Sequence, residues 1–143
     1  MPSLLPRRLA TLAALTALTA ALLLSACQHL GTPALSVSLL QPADGATVSS
    51  PFKVRFGVVG LTVEPAGDIK PASGHHHLLI NLDSLPAGES VPFTDRHLHF
   101  GKGQTETEVT LPPGRYKLTA QFANGAHQSY GKALSQTIRI TVK

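Results

Sequence analysis

The sequence predicts an all-β domain: an immunoglobulin-like antiparallel β-sandwich of about seven strands, following a cleaved signal peptide. Three observations carry this prediction. Apolar and polar residues alternate with period two in several short segments, as half-buried strands require. Turn residues recur at short spacing between those segments. After the amino-terminal apolar run, no segment shows the 3.6-residue apolar periodicity of a helix. A small closed barrel is the alternative that the same pattern allows.

The order of elements begins outside the domain. Arg7 and Arg8 precede an uncharged Ala/Leu-rich run, Leu9 to Leu24, which Ser25, Ala26 and Cys27 close. At roughly 16 residues this run falls short of the ~20 needed to span a bilayer. A positive end, a short apolar stretch and small residues before the cut mark a secretory signal peptide, so residues 1–26 are expected to be removed. Leu24-Ser25-Ala26-Cys27 resembles a bacterial lipobox, which implies cleavage before Cys27 and acylation of Cys27 itself. It is the single cysteine, so no intramolecular disulfide is available, and lipidation accounts for a lone cysteine in an exported chain. Several acyl chains anchor a protein firmly where one does not. Gln28, not Asp, follows Cys27; the resemblance then implies the outer membrane of a Gram-negative bacterium, with the domain in the periplasm. Residues 27–35, with Gly31 and Pro33, read as a lipidated tether. Residues 36–143 are the size of one domain.

Within that domain the first strand is expected at Val37 to Leu40. Pro42-Ala43-Asp44-Gly45 is a turn, because Pro presets one backbone angle and Gly accepts a positive one. Phe52-Lys53-Val54-Arg55-Phe56 alternates strictly and is a half-buried strand. Gly60 to Gly74 and Asp83 to Arg96, both broken by Pro and Gly, read as long loops. Leu78 to Leu82 is an apolar strand, and Thr105 to Leu111 alternates again. Pro112-Pro113-Gly114 turns the chain into Tyr116 to Phe122. Thr137 to Val142 is the last strand, with Ile138, Ile140 and Val142 facing inward.

Charge excludes one class of function. Of 12 Lys/Arg, two belong to the signal peptide, and the rest nearly balance eight Asp/Glu. No basic stripe or aromatic interleaving supports nucleic-acid binding.

Histidine is the residue type that points to chemistry. Six of the seven histidines fall in the domain: His75-His76-His77, His97 and His99, and His127 in a Gly/Asn-rich turn; His29 lies in the tether. Imidazole is the commonest metal ligand and titrates near neutral pH. Along a strand, residues two apart share a face and stand about 6.5–7 Å apart. Each cluster therefore offers an H-x-H pair on one face. If the two segments are neighbouring strands, His75, His77, His97, His99 and His127 form a candidate metal site. His76 is in phase with Leu78 and Ile80, which makes it a core histidine or a supporting partner of the ligands. Glu106 faces the solvent side of its segment, where it either orients a ligand imidazole from behind or keeps that edge soluble.

Gly74-His75-His76-His77-Leu78 and His97-Leu98-His99-Phe100-Gly101-Lys102-Gly103-Gln104-Thr105-Glu106, with Pro51-Phe52-Lys53-Val54 and Leu111-Pro112-Pro113-Gly114, resemble a bacterial secreted or lipid-anchored family of unknown function. A GHHH box and an HLHFGKGQTE box mark that family. The resemblance runs from about Ser36 to the carboxyl end, implies one periplasmic domain, and extends to His127. A second family histidine is missing from the stretch held by Ser129, Tyr130 and Gly131. The resemblance supplies no function.

The metal expected is divalent. Beyond the signal peptide the chain has no Met and no free thiol, so soft Cu(I) ligation is lacking, while imidazoles suit Cu(II) or Zn(II). Unperturbed imidazoles would lose the metal to protons between about pH 7 and pH 5. The rival reading is a structural or partner-docking envelope lipoprotein whose histidines form a hydrogen-bonded scaffold. An enzyme is less favoured: Ser73 and Ser129 lie near histidines in sequence, but neither sits in a nucleophile motif.

Overall fold

The computed structural model describes residues 34–143. The signal peptide, Cys27 and most of the tether lie outside the described residues. Nine strands are present: β1 Ser36–Gln41, β2 Thr47–Val48, β3 Phe52–Val59, β4 Thr62–Val63, β5 Ser73–Ile80, β6 His97–His99, β7 Glu106–Val109, β8 Gly114–Ala123 and β9 Ser135–Val142. Among the described residues no helix is long and apolar enough to cross a membrane.

The strands form two sheets. One has the order β1-β3-β7; the other runs β2-β9-β8-β5-β4, with β6 also paired to β5. The long pairings are antiparallel, as expected, while the two-residue strands β2 and β4 run parallel to β9 and β5. These two are the additions to the seven expected strands, and two residues are too few to show alternation.

Alternation sets the core. Phe52, Val54 and Phe56 turn inward from β3 while Lys53 and Arg55 face water. They meet Leu78 and Ile80 of β5, Leu118, Ala120 and Phe122 of β8, and Ile138, Ile140 and Val142 of β9. Burying each large side chain contributes about 1.5–3 kcal/mol. The Tyr116 hydroxyl, near the start of β8, donates to the Pro112 carbonyl at 2.9 Å. That bond ties the strand to the preceding corner, as a tyrosine corner does in immunoglobulin-like sandwiches.

β5 departs from the expected bounds. Its first residues were expected in a loop, yet the strand begins at Ser73 and is buried along its full length. The reason is that both faces are covered. The sandwich core covers one, and residues 82–94 fold back over the other. Leu85 N donates to Gln121 Oε1, Gly88 N to Ser129 O, and Val91 N to His127 O. Val91 is thereby buried against the sheet.

Gly74 is required by close packing. A Cβ there would lie 2.0 Å from the Ala123 carbonyl oxygen in the neighbouring strand. Backbone cannot yield as a side chain can, so Gly74→Ala should cost roughly 3 kcal/mol, the upper range for overpacking. Thermal melts of the variant check this; an unchanged melting temperature would mean that β5 and β8 are less closely paired.

Candidate metal centre

The site lies on the outer face of the larger sheet. In β5 the odd residues His75, His77 and Leu79 face away from the core, opposite Ala123, Gln121 and Thr119 of β8. His99 pairs directly with His77, and His97 with Leu79. His127 comes from the turn after β8. Asn124 shapes that turn: its Oδ1 accepts from Ala126 N and Gln128 N, and its carbonyl accepts from His127 N. His127 takes a left-handed conformation, φ 64°, which is uncommon for a residue with a side chain. Gly125 precedes it because a Cβ would lie 2.2 Å from the Asp68 carbonyl oxygen.

These elements gather four imidazoles. Ring centroids are 4.6 Å apart for His75 and His77, 4.7 Å for His75 and His127, and 5.6 Å for His77 and His127. His75, His77 and His127 each offer a ligand nitrogen, all within 4.8 Å of one another. His99 lies beside them, 4.5 Å from His77 and 5.0 Å from His127 by ring centroid. Its Nε2 is 2.8 Å from the Pro92 carbonyl oxygen. A carbonyl can only accept, so Nε2 carries the proton and Nδ1 keeps the free lone pair. Phe93 stacks flat on this ring, at 3.9 Å and 9°.

His97 stands apart. Its Nδ1 lies 2.7 Å from the Thr94 hydroxyl, two residue pairs along the strand from His99. Glu106 does not support a ligand. It sits in β7, in the other sheet, and its carboxylate meets Lys53 at 3.2 Å and Arg55 at 3.6 Å. The ligand-orienting role is corrected accordingly, and the soluble-edge role is the one that fits: β7 pairs with β3, whose solvent face carries those two cations. Ser73 and Ser129 donate their hydroxyls to the carbonyls of Lys70 and Leu85.

The hydrogen-bond inventory isolates the histidines. On the same buried face, Gln121 Nε2 reaches three carbonyls and Thr119 bonds both Leu82 O and Thr137. Among the described residues, the buried side-chain atoms left without a partner are both ring nitrogens of His75, His76 and His77, with Nδ1 of His99 and of His127. An unpaired buried polar group costs about 1–3 kcal/mol, so this face is unsatisfied unless a further species occupies it.

Burial also keeps these rings neutral. Desolvation, then the neighbouring His127 and His99, lowers the His75 pKa to about 4. Desolvation first, with His75, His99 and His127 behind it, lowers His77 to about 2. The Gln121 backbone opposes that shift but stops short of a hydrogen bond. His127 is lowered by burial and by His99. Neutral imidazoles with free lone pairs are the form that binds metal.

His76 belongs to the core, one of the two roles expected for it. It stacks on Phe56 at 4.8 Å and meets Phe122 edge-on at 5.0 Å. Burial lowers its pKa to about 4. Because both nitrogens lack partners, His76→Leu should stabilise the fold at pH 7 by about 1–2 kcal/mol, since the cost of the unpaired group disappears. The denaturant midpoint measures this, and a fall of that size would show that His76 has a partner.

Comparison with known proteins places the chain without naming a reaction. The family model described as "Domain of unknown function (DUF4399)" matches residues 54–143, a shorter stretch than the resemblance read from Ser36 onward. No curated protein matches the chain. One solved structure, the endo-beta-1,4-mannanase from Thermotoga petrophila, is similar over 76% of this chain at 15% identity, with a TM-score of 0.45. The chain spans 20% of that enzyme's length.

Proposed function

The chain belongs to the DUF4399 family, a domain of unknown function, and from its own geometry we propose that it binds one divalent transition-metal ion. His75, His77 and His127 are the ligands, and His99 Nδ1 supplies a fourth. One observation carries this reading: partnerless buried nitrogens of His75, His77 and His127 lie in one place, with the His99 ring beside them. A hydrogen-bonded scaffold would have paired them.

The fit needs a small adjustment. Nitrogens about 2.0–2.1 Å from a tetrahedral ion stand about 3.3 Å apart. From the present 4.8 Å limit the ligands draw in by up to roughly 1.5 Å. Side-chain rotation and the turn-borne His127 supply that movement. An all-imidazole set suits Cu(II) or Zn(II). The compartment proposed with it is the periplasm, with the outer membrane reached through acylated Cys27; the Leu24-Ser25-Ala26-Cys27 motif supports this.

A second reading has its own observation. Phe93 is 74% exposed beside the cluster, which is unusual for a large apolar ring and fits docking to an envelope protein. Calorimetric titration of the tag-free chain with Cu(II) and Zn(II) separates the two. Metal binding predicts saturation at one ion per chain and a raised melting temperature. Docking alone predicts neither.

A further inference from the structure

The outer face of the larger sheet carries a second unusual group of side chains, toward the opposite end from the histidines. Arg115 and Lys117 of β8 lie across from Thr141 and Arg139 of β9. All four turn outward, because Leu118, Ile138, Ile140 and Val142 between them are buried in the core. Lys117 and Arg139 are therefore like charges directly opposite one another, an arrangement that destabilises a sheet. Arg115 adds a third cation two residue pairs away on the same face. Arg115 and Gln121 are six positions apart on β8, so this group lies about 20 Å along the strand from the metal site.

Counter-charge is sparse. Asp83 Oδ1 pairs with Lys117 Nζ at 2.7 Å. Asp44 spends Oδ1 on the Arg139 backbone amide, at 2.7 Å, and not on the guanidinium. Among the described residues, neither Arg115 nor Arg139 takes part in an ion pair. The Asp83 carboxyl is lowered mainly by Lys117 and further by Arg139 and Lys132, so a fourth cation contributes to the same field. These residues are not scattered over a flat surface. Arg115, Tyr116, Lys117, Arg139 and Thr141 line a concavity of about 370 Å³.

We infer that this concavity binds a phosphate-class anion on Arg115, Lys117 and Arg139. Among the described residues, the two guanidinium groups lack counter-ions and are free to take up an anion. Guanidinium forks bind phosphate oxygens bidentately, and the Thr141 hydroxyl at the wall is a further donor. A bound anion would relieve the cross-strand repulsion between these cations. Two sources share this chemistry: a soluble phosphate compound and the phosphate headgroup of an anionic lipid.

The test uses the full chain carrying Cys27→Ser, free of metal, at low ionic strength. Calorimetry with sodium pyrophosphate should show one saturable site per chain. Arg115→Gln with Arg139→Gln should weaken it at least tenfold, and Lys102→Gln should leave it unchanged. Sedimentation with phosphatidylcholine vesicles, with and without phosphatidylglycerol, forms the second arm. Preference for the anionic vesicles, lost in the double variant, assigns the lipid headgroup; pyrophosphate binding without that preference assigns a soluble phosphate. Binding of neither probe, or undiminished binding by the double variant, overturns the inference. So does a lower melting temperature in the double variant, because relief of repulsion should leave it equal or higher.

Discussion

Acidification from pH 7 to pH 4 should destabilise the metal-free protein by several kcal/mol. In the unfolded chain the three imidazoles of β5 take up protons near pH 6.5. In the fold, burial holds His75 and His76 to about 4 and His77 to about 2. Between those limits the unfolded state binds more protons, so stability is lost as the pH falls from about 6.5 toward 4. A shift from 6.5 to about 4 corresponds to on the order of 3 kcal/mol for His76 alone. Three such rings rival the 5–15 kcal/mol total stability of a typical domain. Urea midpoints at pH 7, 5.5 and 4 measure the effect, and His76→Leu should remove roughly a third of it. A midpoint that holds constant down to pH 4.5 would mean that these rings are solvated or paired.

The second large effect is on metal affinity. His77→Ala should weaken Cu(II) or Zn(II) binding at least a hundredfold, about 2.7 kcal/mol. His77 is the central ring of the group, 4.6 Å from His75 and 4.5 Å from His99 by centroid. His127→Ala should approach that loss. His97→Ala should change affinity little, because its ring is engaged by Thr94 outside the group. The expected pH dependence also moves. Unperturbed histidines would surrender the metal between pH 7 and pH 5. Here His75 and His77 are already neutral at pH 5, so binding should persist there and fail nearer pH 4. Calorimetric titration of each variant at pH 7 and pH 5 reads both effects. Complete loss of wild-type binding at pH 5 would place the ligands in water.

The alternating segments Phe52–Phe56, Tyr116–Phe122 and Thr137–Val142 were legible in the sequence because each has one wet face and one dry face. β5 was read as a strand only from Leu78 onward, and its start at Ser73 was not legible, since a strand covered on both sides shows no alternation. Its covering loop could be read as a loop from its Pro and Gly residues. Its docking on Gln121 and His127 could not, because the loop contributes backbone amides, which leave no signature in its own side chains. The pairing of His77 with His99 followed from two H-x-H segments placed side by side. The separation of His97 from His99 did not, because it depends on a local bond to Thr94 and on where the Asn124 turn delivers His127. Glu106 was misplaced for a related reason: alternation gives its face, but not the sheet to which that face belongs.

X-ray absorption at the metal edge of the tag-free protein, loaded with one equivalent of Zn(II) or Cu(II), tests the central claim most directly. The account predicts one retained ion per chain with three or four imidazole nitrogens at about 2.0–2.1 Å. An ion surrounded by oxygen alone, or a chain that retains no ion, would contradict it.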